Sequence, residues 1–374
     1  MRVLVLAPDP KKLGGISIYL QSLKPFFSKD VEYFVIGRRV RENSDWDAMD
    51  KSRLYLLLRL FQDYIKFVIH LIKNKYDVLH LNPSLNSKLI LRDGLYILTA
   101  RLFIANYIVF FRGWEKEFEQ KLRQRYLPLF RFVYFRASAL TVLANDFKNS
   151  LEEMGYSGTI HLETTSYNED FNEKTSDSSR KNRNEKEPYT ILFLSRIEVA
   201  KGVYVAVKAF NLFKKKFPNS KLVIAGSGYE LEHLKEHVAQ NGFSGIEILG
   251  PIYGEPKFEA FNNANVYLFP TWHPEGMPGT VNEAMAAGLP IITRPVGGLK
   301  DFFINGEMGY MTESKDPKDF AALLEKLHQD PEQAGKIGAG NRAYARNRFS
   351  ASKVAERIEK IYRDIVNPSG SDRA

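Results

Sequence analysis

The sequence predicts an α/β protein made of two doubly wound parallel-sheet domains facing a cleft, with helices closing the chain. Two observations predict this: short apolar runs alternate with stretches of helical period, and the alternation stops once, at a polar segment, before starting again. The length agrees. At 374 residues, with 44% apolar and 13% aromatic residues, the chain is too long for one ordinary core and sufficient for two.

Taken in order, the apolar runs of the first half are RVLVLA, VEYFVI, DVLHLN, YIVFF and ALTVLA, each followed by an amphipathic stretch, which is the rhythm of βαβ units. The opening MRVLVLAPDP has too short an apolar run for a signal peptide and reads as a first strand. NEKTSDSSRKNRNEKEP, residues 172–188, is polar and aperiodic, so it reads as a linker or long surface loop. The rhythm then resumes with YTILFLS, KLVIAG, IEIL, NVYLFP and LPIIT, and helical patterns from 316 to 366 close the chain. The expected domains are 1–171, the linker 172–188, 189–350, and a C-terminal helix and tail, 351–374, whose return to the first domain stays open.

Composition excludes several classes of function. With no cysteine, disulfides, thiolate chemistry and zinc–sulfur sites are out, which suits a reducing cytoplasm. The net charge of +9 invites a polyanion, and residues 1–170 carry most of it, with 25 Lys plus Arg against 19 Asp plus Glu. No zinc-finger spacing or aromatic RNA-binding signature accompanies the charge, so nucleic acid is not the expected partner. Apolar stretches are broken by Arg or Lys before the roughly 18 residues that a spanning helix needs, so membrane contact is expected at the surface only. In 51–75 and 114–136, cations (Lys51, Arg53, Arg59, Lys66; Lys121, Arg123, Arg125, Arg131) interleave with Tyr64, Phe67, Tyr126 and Phe130. That texture suits helices lying on an anionic bilayer, and equally a solvated basic face over a buried aromatic stripe.

In parallel sheets, ligands bind beyond the carboxyl ends of the strands, which directs attention to the loops there. After NVYLFP, the segment Glu275-Gly276-Met277-Pro278-Gly279 is a loop, and Thr280 followed by Glu283 has the spacing of a capping box. Capping would assign Glu283 to the helix alone. It leaves Glu275 unexplained, together with two glycines that open backbone N–H groups at a helix N-terminus, where phosphate binds well. FLSRIEVAKG sets Arg196 at a strand end and Lys201 at the next helix entry, spaced to converge on one diphosphate or to stand as two surface cations. Gly14-Gly15 lies between the first strand and helix without a full dinucleotide fingerprint, and Gly226 and Gly228 repeat the device or simply turn the chain. At the end of YIVFF stand Arg112 and Trp114, a cation and an aromatic face suited to a sugar, with interdomain packing as the other reading of Trp114. His80 and Asn82 sit near the end of DVLHLN, where a hydrogen-bonded core histidine is the plainer reading. HLKEH, 233–237, matches an inverted zincin pattern but fits an ordinary amphipathic helix, and the Asp-x-Asp of DWD, 45–47, follows no strand and reads as a polar loop.

Together these loops resemble the retaining nucleotide-sugar glycosyltransferases of the GT-B fold, family 4. The resemblance is strongest over about 189–312, through RIEVAKG, KLVIAGSG, ILGPI, EGMPGTVNE, AMAAGLPIIT and VGGLKDF, and looser in the first half, through GGIS and DVLHLN. It implies two Rossmann-like domains and transfer of a hexose from a UDP- or GDP-sugar to a glycan or lipid-linked glycan, as in cell-surface polysaccharide biosynthesis. By the resemblance, Glu275 holds the donor sugar's hydroxyls and Glu283 those of the ribose. Arg196 and Lys201 neutralise the diphosphate, helped by the backbone of Gly276, Met277, Pro278, Gly279 and Thr280 and by Gly14 and Gly15. Gly226 lies on the donor side, and the base is expected near Gly250–Ile252. Arg112 stands where many members have histidine, and with Trp114, His80 and Asn82 it falls on the sugar or acceptor side. The family mechanism implies no metal and no cofactor beyond the nucleotide sugar, and a cytoplasmic enzyme, peripheral at the inner face of the membrane. The other readings are a nucleotide-sugar epimerase of the same fold and a catalytically impaired nucleotide-sugar-binding relative.

Overall fold

A computed structural model describes residues 1–11, 14–37, 53–175 and 187–367. The Asp-x-Asp of 45–47, Lys51 and residues 176–186 of the predicted linker lie outside the described residues, as does the side chain of Arg53. The chain divides into two compact units, residues 1–166 with 351–374, and residues 167–350.

The first unit runs β1 (Val3–Ala7), α1 (Gly15–Leu23), β2 (Val31–Val35), α2 (Arg53–Lys73), β3 (Val78–Leu81), β4 (Ser84–Leu85), α3 (Ser87–Ala100), β5 (Asn106–Phe111), β6 (Gly113–Trp114), α4 (Lys116–Lys121), α5 (Leu127–Tyr134), β7 (Ala139–Val142), α6 (Asn145–Glu153) and β8 (Ile160–Leu162). Six strands form one parallel sheet in the order β2-β1-β3-β5-β7-β8, with Val3 paired to both Val31 and Val78. β1, β3 and β7 are buried along their whole length, which is why they read as continuous apolar runs. From β2 the chain steps steadily across the sheet to β3, β5 and β7. Right-handed crossovers therefore put α2, α3 and α5 side by side on one face. α1, which connects in the opposite direction, packs with the C-terminal helix (Ala351–Val366). That helix is tied in by Arg357, whose guanidinium grips Glu163 at 2.9 and 3.1 Å, and by Glu359, which accepts the Ser28 N–H at 2.7 Å. The stretch 114–136 is not one helix: a π-helical turn, Leu122–Tyr126, separates α4 from α5.

The second unit runs α7 (Asp170–Lys174), β9 (Tyr189–Leu194), α8 (Val203–Lys216), β10 (Ser220–Ala225), α9 (Leu231–Gln240), β11 (Ile246–Gly250), α10 (Glu255–Asn262), β12 (Val266–Phe269), α11 (Gly279–Ala286), β13 (Ile291–Thr293), β14 (Gly309–Met311), α12 (Pro317–Gln329) and α13 (Pro331–Arg348). Its sheet is also parallel, in the order β11-β10-β9-β12-β13-β14. The direction of travel reverses between β9 and β12, so a crevice opens there at the carboxyl ends. Helix starts follow their sequence signals: Asp316 and Asp330 accept backbone N–H groups at 2.9 Å, and each is followed by a proline at the first helical position. HLKEH lies on α9 with Leu234 buried.

The expected boundary at 171 moves to 166. Phe171 on α7 packs against Phe258 and Phe261 of α10, with centroids 4.8 and 5.4 Å apart, so α7 belongs to the second core and the polar segment after it lies inside that unit. Aromatic packing draws in a stretch that polarity alone assigns to a linker.

Candidate active site

At the β9/β12 crevice, one carbonyl joins two loops. Ala200 O accepts the backbone N–H groups of Trp272 and His273 at 2.9 and 3.0 Å and the Thr271 hydroxyl at 3.2 Å. Gly202 makes this approach possible: its φ is +84°, and a Cβ there would stand 2.2 Å from Pro270 O. A second close approach brings in the loop after β13. Gly298 N–H donates to Gly276 O at 2.6 Å, and a Cβ on Gly297, at φ +49°, would stand 1.6 Å from Glu275 O. The loop after β10 is joined to the same rim, with Ile197 N–H donating to Ser227 O and Gly226 N–H to Gly250 O. Gly226 and Gly228 press against the backbone of Ser195 and Ile197.

Within this frame Lys201, buried, donates from Nζ to Glu275 Oε1, which Thr271 Oγ1 also reaches at 3.5 Å. Arg196 points outward, 58% exposed, and pairs with Glu198 at 2.5 Å. Burial and the Lys201 charge lower the pKa of His273, whose Nδ1 stands 3.9 Å from Glu275 Oε1. Glu283 is one helix further along. Its Oε1 accepts from Lys257 Nζ at 2.7 Å, while its Oε2 is buried with no hydrogen-bond partner. The phenol of Tyr267, pushed well up by burial, senses both glutamates, donates to Leu194 O at 2.8 Å and stands 2.8 Å from Thr280 Oγ1.

The capping box does not form. Pro278 is the N-cap of α11, no side chain caps that end, and Glu283 faces Lys257 instead. Proline pins the entry angle and puts the first free turn at Gly279 and Thr280, so the helix N-terminus keeps its partial positive charge beside Glu275. Met277 and Pro278 are buried, Gly276 and Gly279 half-buried, and Ile252 half-buried just past Gly250.

The first unit has its own reversal, between β1 and β3. A cavity of about 190 Å³ opens there, lined by Gly14, Gly15, Ser17, Asn82, Arg92 and Asp93 among others. Asn82 is buried, its side chain close enough to His80 to act on that imidazole. Beside it His80 bonds Tyr362 Oη through Nδ1 at 2.5 Å and leaves Nε2 without a partner, and burial and the Arg112 charge lower its pKa to about 3. Arg112 lies over the rings of Tyr19 and Phe110, 3.6 and 4.3 Å from their centroids, with Nη1 buried and unpartnered. Trp114 is not an open sugar platform. It stacks on Phe147 at 4.8 Å and 7°, and its Nε1 donates to Glu119 at 2.7 Å, because the turn at β6 folds the indole into the core under α6.

Lys257, Thr271, His273 and Gly297 were not legible as site residues. His273 alone carried a local signal, two residues before Glu275; Lys257 reaches Glu283 across 26 residues of chain, with no motif around it. Among the described residues no group of three or more His, Asp or Glu is placed to hold a metal ion.

Two doubly wound parallel-sheet units, the second carrying lysine-paired carboxylates at its switch point, place the chain in the GT-B structural class. The family match falls on the second unit, where residues 174–344 match the family described as Glycosyl transferases group 1. The chain is 31% identical over 185 residues to the Capsular polysaccharide biosynthesis glycosyltransferase CapM of Staphylococcus aureus, covering 48% of this chain and 47% of that one. It is 32% identical over 184 residues to the Phosphatidyl-myo-inositol mannosyltransferase of Mycobacterium leprae, covering 49% and 48%. These matches therefore span about half the length of each curated relative. Over nearly the full chain the fold is similar to Anabaena Alr3699/HepE, solved in complex with UDP, with a TM-score of 0.71 at 15% identity, covering 96% and 99% of the two chains. It is also similar to the sucrose-phosphate synthase of Thermosynechococcus elongatus, with a TM-score of 0.75 at 20% identity, covering 99% and 100%.

Proposed function

We propose that this protein is a retaining, metal-independent glycosyltransferase that moves a hexose from a UDP- or GDP-sugar onto a glycan or lipid-linked glycan at a cytoplasmic membrane surface, in cell-surface polysaccharide biosynthesis. The observation that carries the reading is the buried Lys201–Glu275 pair beside the uncapped N-terminus of α11, at the switch point of the second sheet. A nucleoside diphosphate leaves with growing negative charge on its phosphate oxygens, so the main catalytic demand is a preorganised positive field in a site that excludes water. Lys201, Arg196 and the N–H groups at Gly279 and Thr280 supply that field. Glu275 fixes the ammonium and receives donor-sugar hydroxyls. Glu283, with one oxygen on Lys257 and the other unpartnered, takes the ribose hydroxyls, and the turn at Gly250–Ile252 receives the base. The acceptor hydroxyl attacks the face that the diphosphate leaves, a phosphate oxygen takes its proton, and no protein base is needed. Gly14 and Gly15 assist with the diphosphate, and Arg112, His80 and Asn82 are read as sugar or acceptor contacts. Similarity to CapM, a capsular polysaccharide glycosyltransferase, and to HepE, solved with UDP, supports the polysaccharide and nucleotide parts of the reading.

A thermal-shift screen of nucleotides and nucleotide sugars tests it, because a ligand that binds only the folded protein raises its melting temperature. UDP or GDP and one of the corresponding sugars should shift it, and that sugar should be consumed when an acceptor is added. A folded sample indifferent to every nucleotide would remove the reading.

A further inference from the structure

The three helices that cover one face of the first sheet are apolar on both sides. Successive helical residues turn by about 100°, so Ile65 and Phe67 on α2 point about 200° apart. Phe67 is in the core with Leu71, yet the opposite stripe, Leu58, Phe61, Ile65, Ile69 and Ile72, is exposed and wholly aliphatic or aromatic. α3 repeats this: Ile90 and Ile97 are buried, while Leu91, Leu95 and Leu98, with Leu102 just past the helix, face out. α5 adds Leu129 and Phe132. The helices are neighbours: Tyr64 of α2 bonds Thr99 of α3 at 2.7 Å, and Tyr134 of α5 donates to Ile90 O of α3 at 2.6 Å. Of the two sequence readings of 51–75, the outward face is thus not the solvated basic one. Phe67 and Phe130 are core, and the outward surface is an apolar plateau extending onto α3.

The charges on this plateau have one sign. Its carboxylates, Asp63 and Asp93, are buried and held, by the Gly37 N–H at 2.8 Å and by Arg92 at 2.6 Å. Among the described residues its exposed charges are Lys66, Lys73, Lys88 and, just beyond α5, Arg136, while Arg131 turns away to donate to Met154 O at 2.6 Å. We propose that the plateau of α2, α3 and α5 is a monotopic docking face that sinks its aliphatic stripes into the acyl boundary of an anionic bilayer while its cations meet the headgroups. An isologous contact between two copies would set these cations against their own kind, whereas anionic lipid complements them. No described helix is long and apolar enough to cross a membrane, so the contact is interfacial. This deepens the membrane part of the proposed function and is independent of its transfer chemistry.

Flotation with vesicles of phosphatidylcholine alone, or mixed with phosphatidylglycerol, tests it. The full chain should float with the mixed vesicles and much less with the neutral ones, with added salt weakening but not abolishing binding. Phe61→Glu and Leu91→Glu, at sites 63% and 69% exposed on separate helices, should each cut the bound fraction by about tenfold or more. Both should melt like the parent and keep whichever response it has to UDP or GDP. Binding lost with that response retained supports the docking face; a parent that floats but responds to neither nucleotide counts against the donor reading alone. The proposal is overturned if the parent ignores mixed vesicles, if the folded glutamate variants float like the parent, or if sedimentation velocity finds a dimer that these variants dissociate without any vesicle binding.

Discussion

The switch points of the two sheets hold their charged groups in different proportions. In the second unit each glutamate meets a lysine of its own, Glu275 with Lys201 and Glu283 with Lys257. The first unit has one such pair, Arg92 with Asp93 at 2.6 Å, and keeps Nε2 of His80 and Nη1 of Arg112 buried without hydrogen-bond partners, as the second keeps Oε2 of Glu283. A paired buried charge has its desolvation offset within the protein, and an unpartnered buried polar atom does not. The difference teaches that the second site is organised by its own counterions before any ligand arrives.

Removing one member of the organised pair is the hardest blow to that contrast. Lys201→Ala strands Glu275 without its buried cation and strips the phosphate field, so transfer should fall about 10³-fold and stability by about 3–5 kcal/mol. Steady-state rates and denaturant titrations read both; retention of either near the parent value would mean the pair does not organise the site. Arg112→Ala comes next. Turnover should drop by roughly 10²-fold if the free guanidinium nitrogen meets substrate, and near-normal kinetics would leave Arg112 as a packing residue over Tyr19 and Phe110.

His80 sharpens the comparison through pH. Its folded pKa of about 3 lies below the ordinary 6.5, so between those values the unfolded chain binds a proton that the folded chain refuses. The stability from neutral His80 is full above about pH 6.5 and is lost as pH falls toward 3, amounting to about 2 kcal/mol between pH 7 and pH 5. Denaturant unfolding at the two pH values should show this slope, flattened in His80→Asn. The smallest effect is expected from Glu283→Gln, which keeps the shape and a hydrogen bond to Lys257. Nucleotide affinity should weaken about tenfold by calorimetry, and an unchanged Kd would detach Glu283 from the ligand.

Much of the fold was legible because a buried strand must be apolar along its length and a covering helix along one stripe. KLVIAG and NVYLFP became β10 and β12 for that reason. The spacing around 196–202 and 275–283 picked out Lys201 and Glu275, which meet, while Arg196 faces out onto Glu198 and Glu283 faces Lys257. The misses have physical causes. Thr280 and Glu283 have capping-box spacing, but Pro278 shifts the helix start and Lys257 captures the carboxylate. Trp114 was offered as an open face and is instead stacked on Phe147. α7 looked like linker until Phe171 found Phe258.

By itself the sequence determined the strand and helix rhythm, the two parallel sheets, and which loops lie at the carboxyl ends, since these follow from local periodicity and the burial it demands. Only the tertiary structure decided which lysine meets which glutamate, where one unit ends, and that α2 and α3 turn leucines and isoleucines to the outside. Pairings across tens of residues, and the covering of one apolar face rather than another, depend on the joint packing of the whole unit. No short stretch of sequence contains that information.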